Sequence, residues 1–254
     1  MYGELRLPAH PSRPSILANF ATTLDGVVSL GSPGAGSGGE ITGSSATDRM
    51  VMGLLRALAD VVIVGAGTFR AFPNHRWTPA HIFPPLAAAY AELRRGLGRT
   101  SSPTLAIVSA TGDIDLGRPQ FTSGEQEVLI LTTPEGARRL EDRGPPRSVQ
   151  LLPVPPSGQI PARSIIDGVH RARPGGTILV EGGPHLIGDL FGESLVSELF
   201  LTLAPQIAGR SSDRRRLGLV EGRTFAPEDP LWGALSGVKR AGDLLFLRFS
   251  FASP

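Results

Sequence analysis

T-I-L-V-E-G-G-P-H-L-I-G-D-L, residues 177–190, is the stretch around which this chain is organised. Thr177 to Val180 is a short, β-branched, apolar run, which reads as a buried strand. Glu181 follows at its carboxyl end. Gly182 and Gly183 then permit a tight turn with positive φ or close backbone approach. Pro184 suits the first position of a helix, where its missing N–H costs nothing. His185, Leu186, Ile187 and Gly188 carry that helix on. A strand, two glycines and a helix start gather free backbone N–H groups and the positive end of a helix dipole, which suits a phosphate. An ordinary strand-to-helix turn has the same letters. The carboxylate of Glu181 beside the turn is what favours a ligand site.

The 254 residues are enough for one large α/β domain, and 41% of them are hydrophobic. No apolar run approaches the ~20 residues of a membrane helix, and the first fourteen residues lack a signal-peptide layout. The reading is a soluble, cytoplasmic protein of one domain, 1–254, with a loosely held proline-rich arm at 1–15. With no cysteine, thiolate metal sites, disulfides and cysteine nucleophiles are excluded. The five histidines show no close pair at metal spacing. The formal charge is +2, with Lys239 the sole lysine among dispersed arginines. The sequence pI of about 9.6 is therefore poor evidence for nucleic-acid binding.

Ile16 to Ala21 reads as the first strand, and Asp25-Gly26 as a turn at its end. Residues 30–39 are glycine-rich and flexible. Ser45 or Thr47 caps a helix to about Leu58, with Met50, Val51, Leu54, Leu55 and Leu58 on one face. Arg56, near its end, reads first as a solvated, dipole-complementing arginine. The strand Asp60 to Val64 runs into Gly65-Ala66-Gly67-Thr68, a weak match to a dinucleotide turn because Phe72-Pro73-Asn74 stops any long helix. Further strands are expected at 104–108, 128–131 and 149–152, and helices at 85–97, 135–142 and 164–172. Strand–helix alternation argues a mostly parallel sheet covered on both faces. The last third changes character: 195–204 alternates with period two, and 237–239 with 244–251 reads as a hairpin.

Four segments taken in order, A-T-T-L-D-G at 21–26, L-L-R-A-L-A-D-V-V-I-V-G-A-G-T at 54–68, L-V-E-G-G-P-H-L at 179–186 and L-V-S-E-L-F-L-T-L-A-P-Q-I-A-G at 195–209, resemble one family. It is the reductase domain of the bifunctional riboflavin-biosynthesis deaminase–reductase, with a dihydrofolate-reductase-like fold. The resemblance implies a three-layer α/β domain whose mostly parallel sheet ends in antiparallel C-terminal edge strands. It implies NADPH-dependent hydride transfer to the ribose-derived carbon of a phosphoribosylamino-pyrimidine. It places Thr23, Gly65, Gly67, Thr68, Ser109 and Gly182 to Gly188 on the cofactor, and Arg56, Arg76 and Glu181 on the substrate. Arginine suits a substrate phosphate because it binds bidentately and stays charged. Asp25 and Glu181 are the candidates for the proton. The family also implies a homodimer through edge strands, for which the runs from Leu195 and Leu244 are apolar enough.

The segment after Thr68, F-R-A-F-P-N-H-R-W-T-P, lacks the family's paired acidic residues. That leaves open a dihydrofolate- or pterin-type reductase of the same fold, or a nucleotide-binding protein without turnover. A Rossmann dehydrogenase fits less well, since the first G-x-G lacks a ribose-binding acid on the next strand. The family's deaminase half needs a His/Cys zinc site, which a chain without cysteine cannot build.

Overall fold

The computed structural model describes residues 13–31, 37–99, 101–155, 160–213 and 216–251. Most of the expected N-terminal arm, 1–12, and the middle of the glycine-rich stretch, 32–36, lie outside the described residues. The strands are β1 Ser15–Thr22, β2 Val27–Ser29, β3 Val61–Gly65, β4 Thr104–Val108, β5 Val128–Thr132 and β6 Val149–Pro153. They continue as β7 Thr177–Val180, β8 Glu198–Leu203, β9 Leu217–Gly218, β10 Ala234–Ala241 and β11 Leu244–Ser250. The helices are α1 Ser37–Ile41, α2 Ala46–Leu58, α3 Ala66–Ala71, α4 Pro79–Ile82 and α5 Ala87–Gly96. After them come α6 Pro119–Thr122, α7 Pro134–Glu141, α8 Ala162–Ala172 and α9 Pro184–Gly192. No helix among the described residues is long and apolar enough to cross a membrane.

Among the described residues nine strands form one sheet in the order β10-β11-β8-β1-β7-β3-β4-β5-β6. The ladders from β8 to β6 are parallel. The β8–β11 and β11–β10 ladders are antiparallel. Period-two alternation sends successive side chains to opposite cores. Ile16, Ala18 and Phe20 of β1 join Ile165, Val169 and Leu190 on one face, while Leu17 joins Val51, Leu55 and Phe69 on the other. Both faces are therefore sealed by helices, which is why these strands read as continuous apolar runs.

The expected architecture is borne out, with two refinements. The alternating run from Leu195 forms strand only from Glu198, and it pairs parallel to β1 in the sheet interior. Neither it nor the Leu244 run is the free edge: β8 is flanked by β1 and β11, and β11 by β8 and β10. The second refinement is a short helix that begins inside G-A-G-T: α3 is only six residues long, with Gly65 as its N-cap and Phe72 as its C-cap before Pro73.

Strand order also fixes where a ligand fits. From β3 the chain steps outward through β4, β5 and β6. It then returns to place β7 between β3 and β1, and β8 goes to the far side of β1. The winding direction reverses beside β7, and such a switch point opens a crevice at the carboxyl ends of the strands.

Candidate active site

A cavity of about 600 Å³ occupies that crevice. One wall is made by the turns after β3 and β7, from Gly65 to Thr68 and from Glu181 to Leu186, and it extends to Val108 and Ala110 past β4. The cavity is also lined by Phe20 and Ala21 of β1, Ser29 of β2, and Asp48 and Met52 of α2.

The two turns are fitted to each other through their glycines. The Gly65 amide donates to the Gly182 carbonyl at 3.2 Å. Gly182 has φ +151° and Gly183 φ +96°, a region L side chains rarely adopt. A Cβ on Gly182 would sit 2.6 Å from Thr68 Oγ1, and one on Gly183 3.3 Å from Leu186 Cβ. The absence of side chains lets the two turns close on each other. Gly183 is the N-cap of α9 and offers no side-chain cap, with Pro184 at the first helical position. The helix start therefore keeps its dipole facing the cavity.

Beneath this turn lies a buried ion pair. Arg56 reaches from α2 to the end of β7, where its Nε lies 3.0 Å from each Glu181 carboxylate oxygen and its Nη2 lies 2.7 Å from Oε2. Its Nη1 donates to the carbonyls of Arg76 and Thr78, and its Nη2 meets His75 Nε2 at 2.9 Å. The side chains are 1% and 3% exposed. His75 must be neutral to accept from Arg56, and burial first, then the Arg56 charge, hold its pKa down at about 2. The unfolded chain takes up a proton near the ordinary value of 6.5, so below that pH it binds more protons than the folded one. Stability is thus full above pH 6.5 and falls with acid, by up to about 1.4 kcal/mol per pH unit from this group. His75→Gln keeps an acceptor for Arg56. We expect its urea midpoint to change less than that of the wild type between pH 6.5 and 4.5; an equal slope in both would remove His75 from the account.

Comparisons with known proteins agree with this geometry. Residues 14–226 match the model of the RibD C-terminal domain. The chain belongs to the RibD C-terminal domain family. It is similar in fold to a pyrimidine reductase-like protein from Corynebacterium diphtheriae, with TM-score 0.69 and 23% identity over 94% of this chain and 92% of that one. Acinetobacter baumannii RibD aligns with TM-score 0.69 and 20% identity over 95% of this chain, which spans 59% of that longer protein. Yeast riboflavin biosynthesis reductase Rib7 aligns with TM-score 0.61 and 16% identity over 96% of this chain and 93% of that one. No curated protein sequence matches. Membership in the RibD C-terminal domain family bears out the resemblance read from the four segments and supports the class it implied, a pyrimidine reductase of riboflavin synthesis.

Against that family expectation, the structure sorts the site residues into two groups. Gly65, Gly67, Thr68, Glu181, Gly182, Gly183, Pro184, His185 and Leu186 meet at the cavity. The rest do not line it. Arg56 is sealed under the turn with its donors engaged, so it steadies Glu181 and does not face a ligand; nor is it the solvated helix-end arginine first read. Arg76 is on the surface, paired with Glu125. Asp25 clamps the loop beyond β8: it accepts from the Thr23 hydroxyl at 2.5 Å and from the amides of Ala208 and Gly209. Those bonds, the Thr23 hydroxyl foremost, hold Asp25 at a pKa of about 2, which suits a structural acceptor and not a proton donor. Thr23 spends its hydroxyl on that clamp and on the Val27 amide. Ser109 is buried. Ile187 points into the core, and Gly188 packs on the Glu221 carbonyl, 2.9 Å from where its Cβ would be.

Sequence reading missed Asp48. It sits in the first turn of α2, lines the cavity and is 5% exposed. Its amide donates to the Ser45 hydroxyl, so Ser45-x-x-Asp48 reads as a helix start. That role gave no sign that the carboxyl turns inward.

Proposed function

We propose that this chain is an NADPH-dependent reductase that transfers hydride to the ribose-derived carbon of a phosphoribosylamino-pyrimidine. The observation that carries this is the glycine-to-glycine fit of the β3 and β7 turns at an uncapped helix start, in a cavity of about 600 Å³. A dinucleotide pyrophosphate needs close backbone approach and a helix N-terminus, and both are present. Gly182, Gly183 and the first turn of α9 would hold the pyrophosphate, with Gly65, Gly67 and Thr68 opposite. When bound, the nicotinamide supplies the hydride; the protein supplies position and electrostatics. The structural relatives, a pyrimidine reductase-like protein and a riboflavin biosynthesis reductase, support the substrate class.

A second reading is favoured by one observation. Both arginines expected to hold the substrate phosphate are withdrawn from the cavity, and the buried carboxyl of Asp48 faces it instead. A carboxyl suits the N–H donors of an aminopyrimidine or pterin ring without a phosphate. The test is NADPH oxidation with 5-amino-6-(5-phosphoribosylamino)uracil beside dihydrofolate. Turnover of the pyrimidine is expected; turnover of dihydrofolate alone would transfer the proposal to the second reading.

The proposed assembly is a homodimer formed through β10, the outermost strand. Leu235 and Val238 of this strand are exposed, and Trp232, just before it, is 84% exposed. An open edge beside apolar side chains favours strand pairing or face packing with a second copy. Light scattering at micromolar concentration should give the dimer mass for wild type and the monomer mass for Trp232→Ser/Val238→Lys. A monomeric wild type would end this assignment.

A further inference from the structure

We propose that Asp48 is the proton donor of the reaction, giving its proton to the nitrogen next to the carbon that receives hydride. This rests on the reductase reading above. Three geometric facts carry it. Asp48 is a carboxyl that lines the same cavity as the glycine turns, so a substrate bound there would have it within reach. Among the described residues it has no ion-pair partner in the way Glu181 has Arg56: its polar neighbours are hydroxyls, those of Thr42, at 3.4 Å from Oδ2, and Thr202. The Thr42 hydroxyl also lies 3.0 Å from the Gly38 carbonyl, so its single hydrogen is shared between that carbonyl and the Asp48 carboxyl. Of the other two carboxyls that line the cavity, Glu181 accepts hydrogen bonds from Arg56 through both oxygens and Asp189 is paired with Arg223.

The environment agrees. Burial, more than any other influence, raises the Asp48 pKa; the Glu181 carboxylate also raises it, while the Thr202 and Thr42 hydroxyls and the Arg49 charge lower it. A carboxyl whose pKa is raised by burial is shifted in the direction that general acid catalysis needs. The step balances as follows. The opened ribose presents a C=N bond. Hydride from the dihydronicotinamide forms the new C–H bond as the C=N π bond breaks. The electron pair goes to nitrogen, which takes the Asp48 proton. The nicotinamide is oxidised by two electrons, the imine is reduced to an amine, and Asp48 recovers its proton from water.

The experiment compares wild type with Asp48→Asn, which keeps the shape and has no acidic proton. NADPH binding, read by fluorescence, should stay within twofold of wild type. Turnover of the phosphoribosylamino-pyrimidine should fall at least 100-fold at pH 7. Wild-type kcat/KM should decline as pH rises through the Asp48 ionisation, and that limb should vanish in Asp48→Asn. Unchanged turnover, or a slower variant that keeps the same pH limb, would overturn the proposal. A reading without substrate guards against a misfolded variant and against the wrong substrate. Infrared difference spectra of the wild-type protein should show a protonated carboxyl band at pH 6 that disappears in Asp48→Asn. If the wild type leaves the pyrimidine untouched, the proposed substrate fails, and Asp48 is judged on that band: its absence would overturn the role.

Discussion

Arg56→Ala should cost the folded chain about 3–5 kcal/mol, because it strands a carboxylate that is 3% exposed without its counter-charge. The guanidinium also ties α2 to the carbonyls of Arg76 and Thr78 just before α4, and both would lose that donor, Thr78 keeping only the Ile82 amide at 3.4 Å. Unsatisfied buried acceptors add to the loss. The charge, not the volume, is the main cause, so Arg56→Met/Glu181→Leu should be far less destabilised than Arg56→Ala alone. Urea denaturation of the three proteins checks this. A single variant within 1 kcal/mol of wild type, or a double variant worse than the single, would show that the pair does not hold the base of the turn.

Gly183→Val should weaken NADPH binding at least tenfold, which is about 1.4 kcal/mol. Gly183 has φ +96°, which a β-branched residue resists, and a Cβ would press on Leu186 and face Gly65 Cα at 3.7 Å. The turns would part, and the amides at the start of α9 would move from the pyrophosphate position. Gly182→Ala should act in the same direction through collision with Thr68, where the contact would be 2.6 Å. Equilibrium fluorescence titration of folded protein measures both. Wild-type affinity in a folded Gly183→Val protein would take the turn out of the cofactor site.

The fold and the glycine turns that line the cavity were legible in the sequence for the same physical reason. Strands buried on both faces are written as unbroken apolar runs, and a turn that needs close backbone approach is written as paired glycines. T-I-L-V-E-G-G-P therefore specified strand, turn and helix with few alternatives. The rest of the candidate site was legible only in part, because burial is not written in a single letter. Arg56 reads as a helix-end cation until β7 brings Glu181 against it across 125 positions. Asp25 reads as a free acid beside a turn until the loop past β8 supplies the amides of Ala208 and Gly209. Asp48 reads as a helix-start acid until β8 places Thr202 beside it. In each case the role is set by a partner distant in sequence. The Leu195 and Leu244 runs were read as edge strands for a related reason: apolar runs mark both a sheet interior and an edge, and only strand order separates β8 and β11 from β10.

The central claim is that hydride passes from a nicotinamide held at the Gly182–Gly183 turn to a pyrimidine-linked sugar carbon. The most direct measurement is turnover with NADPH deuterated at the transferable position, followed by mass and NMR analysis of the product. The account predicts one deuterium on the former first carbon of the ribose in a ribityl-pyrimidine. Tight NADPH binding with no label in any pyrimidine product, or label appearing only in reduced dihydrofolate, would contradict it.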